Sequence, residues 1–108
     1  MTPAYHLLPA ADKDLDDLAD YLGRLAGLET ALRFYDAAAT TFAELARMPG
    51  MGERRNSRNP RLADVRTWRI GGFGNHLIFY RPSGVDIEII RILHAARDIR
   101  RILDEDGP

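Results

Sequence analysis

The chain has 108 residues, one domain's worth, which leaves no room for separate catalytic and binding modules. Its composition, 45% apolar and 29% charged, is that of a globular protein and excludes a disordered or collagen-like chain. Cysteine is absent, which excludes thiol catalysis, iron–sulfur clusters and zinc ribbons and suits a reducing compartment.

No apolar run approaches the ~20 residues of a bilayer span, and residues 1–10 lack the basic head and long apolar stretch of a signal peptide. The expectation is a soluble, cytoplasmic protein that contacts no membrane. The net charge of −1 hides a division. Residues 1–50 carry four basic and eight acidic groups, a net of −4, whereas residues 51–108 carry eleven arginines against eight acids, a net of +3. Six of those arginines, from Arg54 to Arg69, face only Asp64. Arginine's planar fork suits carboxylate or phosphate recognition, although arginine-rich composition also arises from genomic base content.

In chain order, Ala4–Leu8 is long enough for a strand and too short for a helix. Pro9 opens a helix whose first turn holds Asp12 and Asp14, favourable at the positive end of the helix dipole. Leu15, Leu18, Ala19, Leu22, Leu25 and Ala26 then repeat at the spacing of one helix face. Gly27 breaks this helix. After a link of two or three residues, Ala31, Phe34, Tyr35, Ala38, Phe42, Leu45 and Ala46 form a second such stripe, which Met48-Pro49-Gly50 ends. A short link makes the pair an antiparallel hairpin. Pro49–Arg61 has no apolar period and reads as an exposed loop. Three strands follow: Leu62–Ile70, His76–Arg81 and Val85–His94, separated by turns at 71–75 and Pro82-Ser83-Gly84. The last becomes apolar on both faces at Ile90 and Ile92, as expected of a central strand covered on both sides. Ala96–Leu103 reads as a short helix and Asp104–Pro108 as a frayed tail. The order β-α-α-β-β-β-α predicts a single α+β domain over residues 1–108. In it a helical hairpin is laid on a mainly antiparallel sheet of three to four strands.

The common enzyme signatures are missing: no phosphate loop, no zinc-binding His-Glu-x-x-His, no nucleophile turn. Gly71-Gly72-Phe73-Gly74 joins two strands and therefore reads as a turn. His6, His76 and His94 fit no metal spacing, so neither metal nor cofactor is expected. His94 ends the apolar strand just before Arg97 and Asp98. It could act as a general acid or base if Arg69, Arg81 or Arg97 clamped a phosphate beside it, or it could simply tie the strand end to the next turn. Trp68 and Tyr80 could stack on a base or pack in the sheet core. The row Asp12, Asp16, Asp20 reads as a solvated helix face.

Four segments carry a resemblance. Tyr5-His6-Leu7-Leu8-Pro9-Ala10-Ala11 through Asp14-Leu15, Leu45-Ala46-Arg47-Met48-Pro49 with Gly52, Leu77-Ile78-Phe79-Tyr80-Arg81, and Ile92-Leu93-His94-Ala95-Ala96-Arg97-Asp98 together resemble the ParE toxins of the RelE/ParE superfamily, over nearly the whole chain. The resemblance implies the RelE/ParE-like fold and the toxin of a type II toxin-antitoxin pair, held inactive by a ParD-like antitoxin. ParE-branch toxins act on DNA gyrase, and RelE-branch toxins cut messenger RNA on the ribosome. Fold alone does not separate these activities. No tyrosine follows His94, and the lysines of RelE have only arginine counterparts in Arg54, Arg55 and Arg58, which favours gyrase inhibition without a catalytic centre. His94, Arg69, Arg81 and Arg97 would be the set if the chain were instead a ribonuclease. A homologue that only binds its antitoxin is a third reading. Arg54, Arg55, Arg58, Arg97, Arg100 and Arg101 are the expected target contacts, with no sequence-specific DNA binding. Phe34, Tyr35, Phe42, Arg66 and Trp68 are the expected antitoxin contacts, arginines meeting antitoxin carboxylates in bidentate pairs.

Overall fold

The structure, a computed structural model, describes residues 2–55, 57 and 59–106. Strand β1 (Tyr5–Leu7) leads into α1 (Pro9–Ala26) and α2 (Leu28–Arg47). Only Gly27 separates the helices, one residue in place of the expected two or three. It sits at φ +97°, a conformation that costs glycine little, and its N–H bonds the Gly23 carbonyl at 2.9 Å. Strands β2 (Glu53–Arg54), β3 (Arg66–Ile70), β4 (Phe73–Ser83) and β5 (Asp86–His94) follow, and α3 (Ile99–Asp106) closes the described chain.

The sheet order is β1-β5-β4-β3-β2. It has five strands, one more than the expected maximum, because two residues of the segment read as loop pair with β3 as an edge strand. β1 runs parallel to β5 while the other neighbours are antiparallel, so the sheet is mixed. The turn expected at 71–75 is tighter, since Ile70 pairs with Phe73 and Gly72 takes φ +80°. β3 starts four residues later than expected, because Pro60–Leu62 forms a 3-10 turn.

The helical hairpin covers one face of the sheet. Phe34, Ala38, Phe42 and Leu45 pack there against Ile78, Tyr80, Ile87, Ile89 and Ile92. On the other face Leu62, Val65 and Leu103 cover Phe79, Ile90 and Leu93. β5 is thus interior and buried on both sides, as its doubled apolar pattern predicts. The register with β4 shifts between Phe79 and Tyr80, so that Ile90 has no partner opposite. That bulge puts Ile89 and Ile92 on the hairpin side and Ile90 and Leu93 on the other, which strict alternation would forbid.

α3 begins at Ile99, three residues later than expected. Residues 95–98 form the turn after β5, and Asp98 caps the helix by accepting the Arg101 N–H at 3.3 Å. The helix continues through Asp106 into the stretch expected to fray, and residues 107 and 108 lie outside the described residues. No helix among the described residues is long and apolar enough to cross a membrane.

Candidate interaction surfaces

The hairpin turns one stripe inward and leaves a second apolar set in solvent. Tyr21, Leu25, Leu28, Leu32 and Tyr35 are all exposed, Leu28 most of all at 74%. Leu25 and Leu28 flank the Gly27 link at the closed end of the hairpin, and exposed apolar side chains gathered at one end of an element mark an interaction surface more often than isolated ones do. Between the helices runs a groove of about 340 Å³. Its floor is Ala19, Gly23 and Ala31, small residues that let the helices approach closely. Asp16, Asp20 and Tyr35 form its sides. The Tyr35 hydroxyl donates to Asp16 Oδ1 at 2.6 Å, bridging α2 to α1.

A second surface is cationic and is held by a latch in the core. Tyr80 is fully buried. Its hydroxyl donates to the Pro49 carbonyl at 2.7 Å and accepts the Gly52 N–H at 2.8 Å. Burial pushes its ionisation upward, with the Gly52 N–H opposing. Arg66 closes the latch by donating to the Gly52 carbonyl at 2.7 Å. Three main-chain groups ahead of Arg54 are therefore tied down, and the arginine segment leaves the sheet from a fixed point. Arg54 is exposed, whereas Arg55 lies over the Phe79 ring at 5.3 Å. Arg97, Arg100 and Arg101 are exposed on and before α3. Arg58 lies outside the described residues.

The expected antitoxin set divides. Phe34 and Phe42 are 0% and 1% exposed, so the apolar stripe that makes α2 a helix also takes them into the core. The surface role expected for them is corrected. Tyr35 is exposed and Trp68 half-buried, and Arg66 is half-buried and engaged with Gly52. Tyr80, read as either a stacking or a packing residue, is a packing residue.

Of the residues of the ribonuclease alternative, Arg69 and Arg81 do not converge on His94, and only Arg97 lies beside it. His94 pairs across the sheet with His76, ring centroids 5.2 Å apart, and its Nδ1 accepts the Ala96 N–H at 3.0 Å. This is the tie between strand end and turn. Arg69 is opposite Leu77, the residue after His76, and so points to the other face of the sheet. Arg81 lies farther along β4 than His76, about 17 Å away at the usual rise of a strand, and pairs with Glu88 at 2.9 Å. Arg97 is in the turn after the strand, its N–H bonding the His94 carbonyl at 3.0 Å and its side chain exposed. Among the described residues no cluster of three metal-ligating side chains exists.

Sequence reasoning missed one buried pair. Arg91 donates through Nε to Asp14 Oδ2 at 2.7 Å and through a terminal nitrogen to Oδ1 at 2.9 Å, and the Ile92 N–H also reaches Asp14 at 3.0 Å. Asp14 thus bonds the edge of β5 beyond the end of β1. The signal was an arginine inside the run Ile89-Ile90-Arg91-Ile92-Leu93, since a buried cation requires a partner.

Comparison with known proteins agrees with this architecture. A family model described as the ParE toxin of the type II toxin-antitoxin system, parDE, matches residues 5–99. Toxin ParE1 of Caulobacter vibrioides is 35% identical over 96 residues, covering 89% of this chain and 93% of that protein. A solved structure titled as the chromosomal ParDE system of P. aeruginosa superposes with a TM-score of 0.69 at 26% identity, over 86% of this chain and 96% of that one. The chain belongs to the ParE toxin family of type II toxin-antitoxin systems.

Proposed function

We propose that this chain is a toxin neutralised by a ParD-like antitoxin and that, released from it, the chain inhibits DNA gyrase by surface contact. The observation that carries the reading is the exposed apolar cluster Tyr21, Leu25, Leu28, Leu32 and Tyr35 on a ParE-family chain, a surface that a partner would cover. The solved ParDE relative supports a ParD-like partner by analogy. For the target, support comes from exposed arginines without a reactive constellation around them. Arg54, Arg97, Arg100 and Arg101 suit target contact, together with Arg55, and the Tyr80 latch orients the first of these segments; Arg58 is kept as a contact from the sequence alone. Tyr35, Arg66 and Trp68 remain the antitoxin contacts of the original set, joined by Leu25, Leu28 and Leu32.

The test adds the purified chain to a gyrase supercoiling reaction and, in parallel, to a translating extract with a labelled message. Loss of supercoiling with intact message is expected. Cleaved message with unimpeded supercoiling would replace this reading with the ribonuclease. Tight antitoxin binding without effect in either reaction would leave an antitoxin-binding homologue. Co-expression with the protein of an adjacent ribbon-helix-helix reading frame should suppress growth arrest.

A further inference from the structure

The segment Met48-Pro49-Gly50-Met51-Gly52 carries two of the three methionines of a chain that has no cysteine, so thioethers are the only sulfur an oxidant meets. Met48 caps α2 and is 63% exposed, whereas Met51 is half-buried against the core on the hairpin side. Both line one open hollow of about 470 Å³ at the end of α2, with Glu44 and Arg47 as its other walls. The Met51 N–H donates to the Met48 carbonyl at 3.0 Å and closes the turn between them. Met51 also lies inside the Tyr80 latch. Gly52, the next residue, gives its N–H to the Tyr80 hydroxyl at 2.8 Å, and the Pro49 carbonyl, two residues earlier, accepts that hydroxyl at 2.7 Å. The Met51 backbone is thus pinned on both sides while its side chain lines a hollow that a small oxidant can enter.

We propose that Met51 is an oxidation site whose modification by a hydroperoxide releases the Tyr80 latch. The thioether sulfur attacks the peroxide, so that an S–O bond forms as the O–O bond breaks. Sulfur gives up two electrons and the peroxide is reduced. The transferred oxygen stays on sulfur as the sulfoxide, and its proton passes to the departing hydroxide, which leaves as water. An apolar, flexible side chain thereby becomes polar. Against the apolar side chains that Met51 packs on, the new oxygen carries the cost of burying a polar group. In the hollow it meets water and the Arg47 guanidinium. The side chain therefore turns outward and draws on a backbone whose neighbours, Pro49 and Gly52, hold the Tyr80 hydroxyl. The Arg54 segment, which follows Gly52, then loses its fixed point of departure. Met48 shares the hollow but makes no latch contact, so its oxidation leaves the latch closed. The site is independent of the target; any loss of gyrase inhibition on oxidation rests in addition on the proposed function.

Treating the full chain with hydrogen peroxide at neutral pH, and following it by peptide mass and by amide hydrogen exchange, tests this. Both methionines are expected to gain one oxygen, the exposed Met48 first and Met51 more slowly. Exchange of the Gly52 amide should quicken about ten-fold or more as Met51 is oxidised, with the amides of Ile89 and Ile92 in β5 unchanged, because the opening is local. Met51→Leu should keep Gly52 protected after peroxide, and Met48→Leu should not. Failure of Met51 to oxidise in the folded chain, oxidation without faster exchange at Gly52, an equal rise in β5, or protection conferred by Met48→Leu would each overturn the proposal. These measurements use neither gyrase nor an antitoxin, so the supercoiling reaction tests the proposed function separately.

Discussion

At the scale of single residues, three sites decide stability. A Cβ on Gly52 would lie 2.3 Å from the Tyr80 hydroxyl and 2.9 Å from the Thr67 carbonyl, and neither backbone nor a buried ring yields cheaply. Gly52→Ala is expected to cost about 2–3 kcal/mol, as overpacking of a tight site does, read as a lower urea midpoint. Tyr80→Phe keeps the packing and strands the Gly52 N–H, and should cost about 1–3 kcal/mol. Arg91 and Asp14 side chains are 13% and 14% exposed, so either partner left alone is a nearly buried charge. Asp14→Leu alone should lose about 3 kcal/mol, and Asp14→Leu with Arg91→Met should recover much of it. Additive losses in a double-mutant cycle would contradict a coupled pair. His76 packs against Phe34 and Phe73, with its Nδ1 lacking a hydrogen-bond partner. Burial first, and then His94, lower its pKa below 6.5. The unfolded chain then takes the proton first. The contribution of His76 to stability is complete above about pH 6.5 and falls as the pH drops toward its folded value. His76→Phe should flatten the stability profile below about pH 6.5. An unchanged slope would count against the histidine.

At the scale of elements, the hairpin has two jobs on two faces. Phe34, Ala38, Phe42 and Leu45 anchor it to the sheet, and Leu25, Leu28 and Leu32 remain outside. Replacing Leu28 and Leu32 by Ser should leave the thermal midpoint nearly unchanged, because neither residue is in the core. On the proposed function it should weaken antitoxin binding by about 2 kcal/mol or more, read by calorimetry. A matching loss of folding would instead make them packing residues. β2 is the element most dependent on context. Two residues pair with Thr67 and Arg66, and the latch formed by Tyr80 and Arg66 holds the chain that delivers them.

At the scale of the whole molecule, charge and layers coincide. The acidic first half supplies the hairpin, and the cationic second half supplies the sheet strands beyond β1 and the last helix, so the two sides of the molecule present opposite chemistry. If exposed arginines contact gyrase, charge reversal at Arg97 and Arg100 should cut supercoiling inhibition about ten-fold and reduce its salt dependence. Full inhibition by that variant would move target contact to the Arg54 segment.

What the sequence determined by itself was local or periodic. Helix spacing placed α1 and α2, and the doubled apolar pattern placed β5 in the interior. Four short segments were enough to point to the family. The α2 stripe even contained the fate of Phe34 and Phe42, since a stripe that defines a helix also defines what the helix buries. The tertiary structure alone decided which distant residues meet: Asp14 with Arg91, Gly52 with Tyr80, Asp16 with Tyr35, and β1 with β5 in parallel. It also decided that Arg69 and Arg81 stay apart from His94. Periodicity follows from backbone geometry within one element, whereas pairing across the fold depends on sheet order and on a one-residue bulge. Neither leaves a repeating mark along the chain.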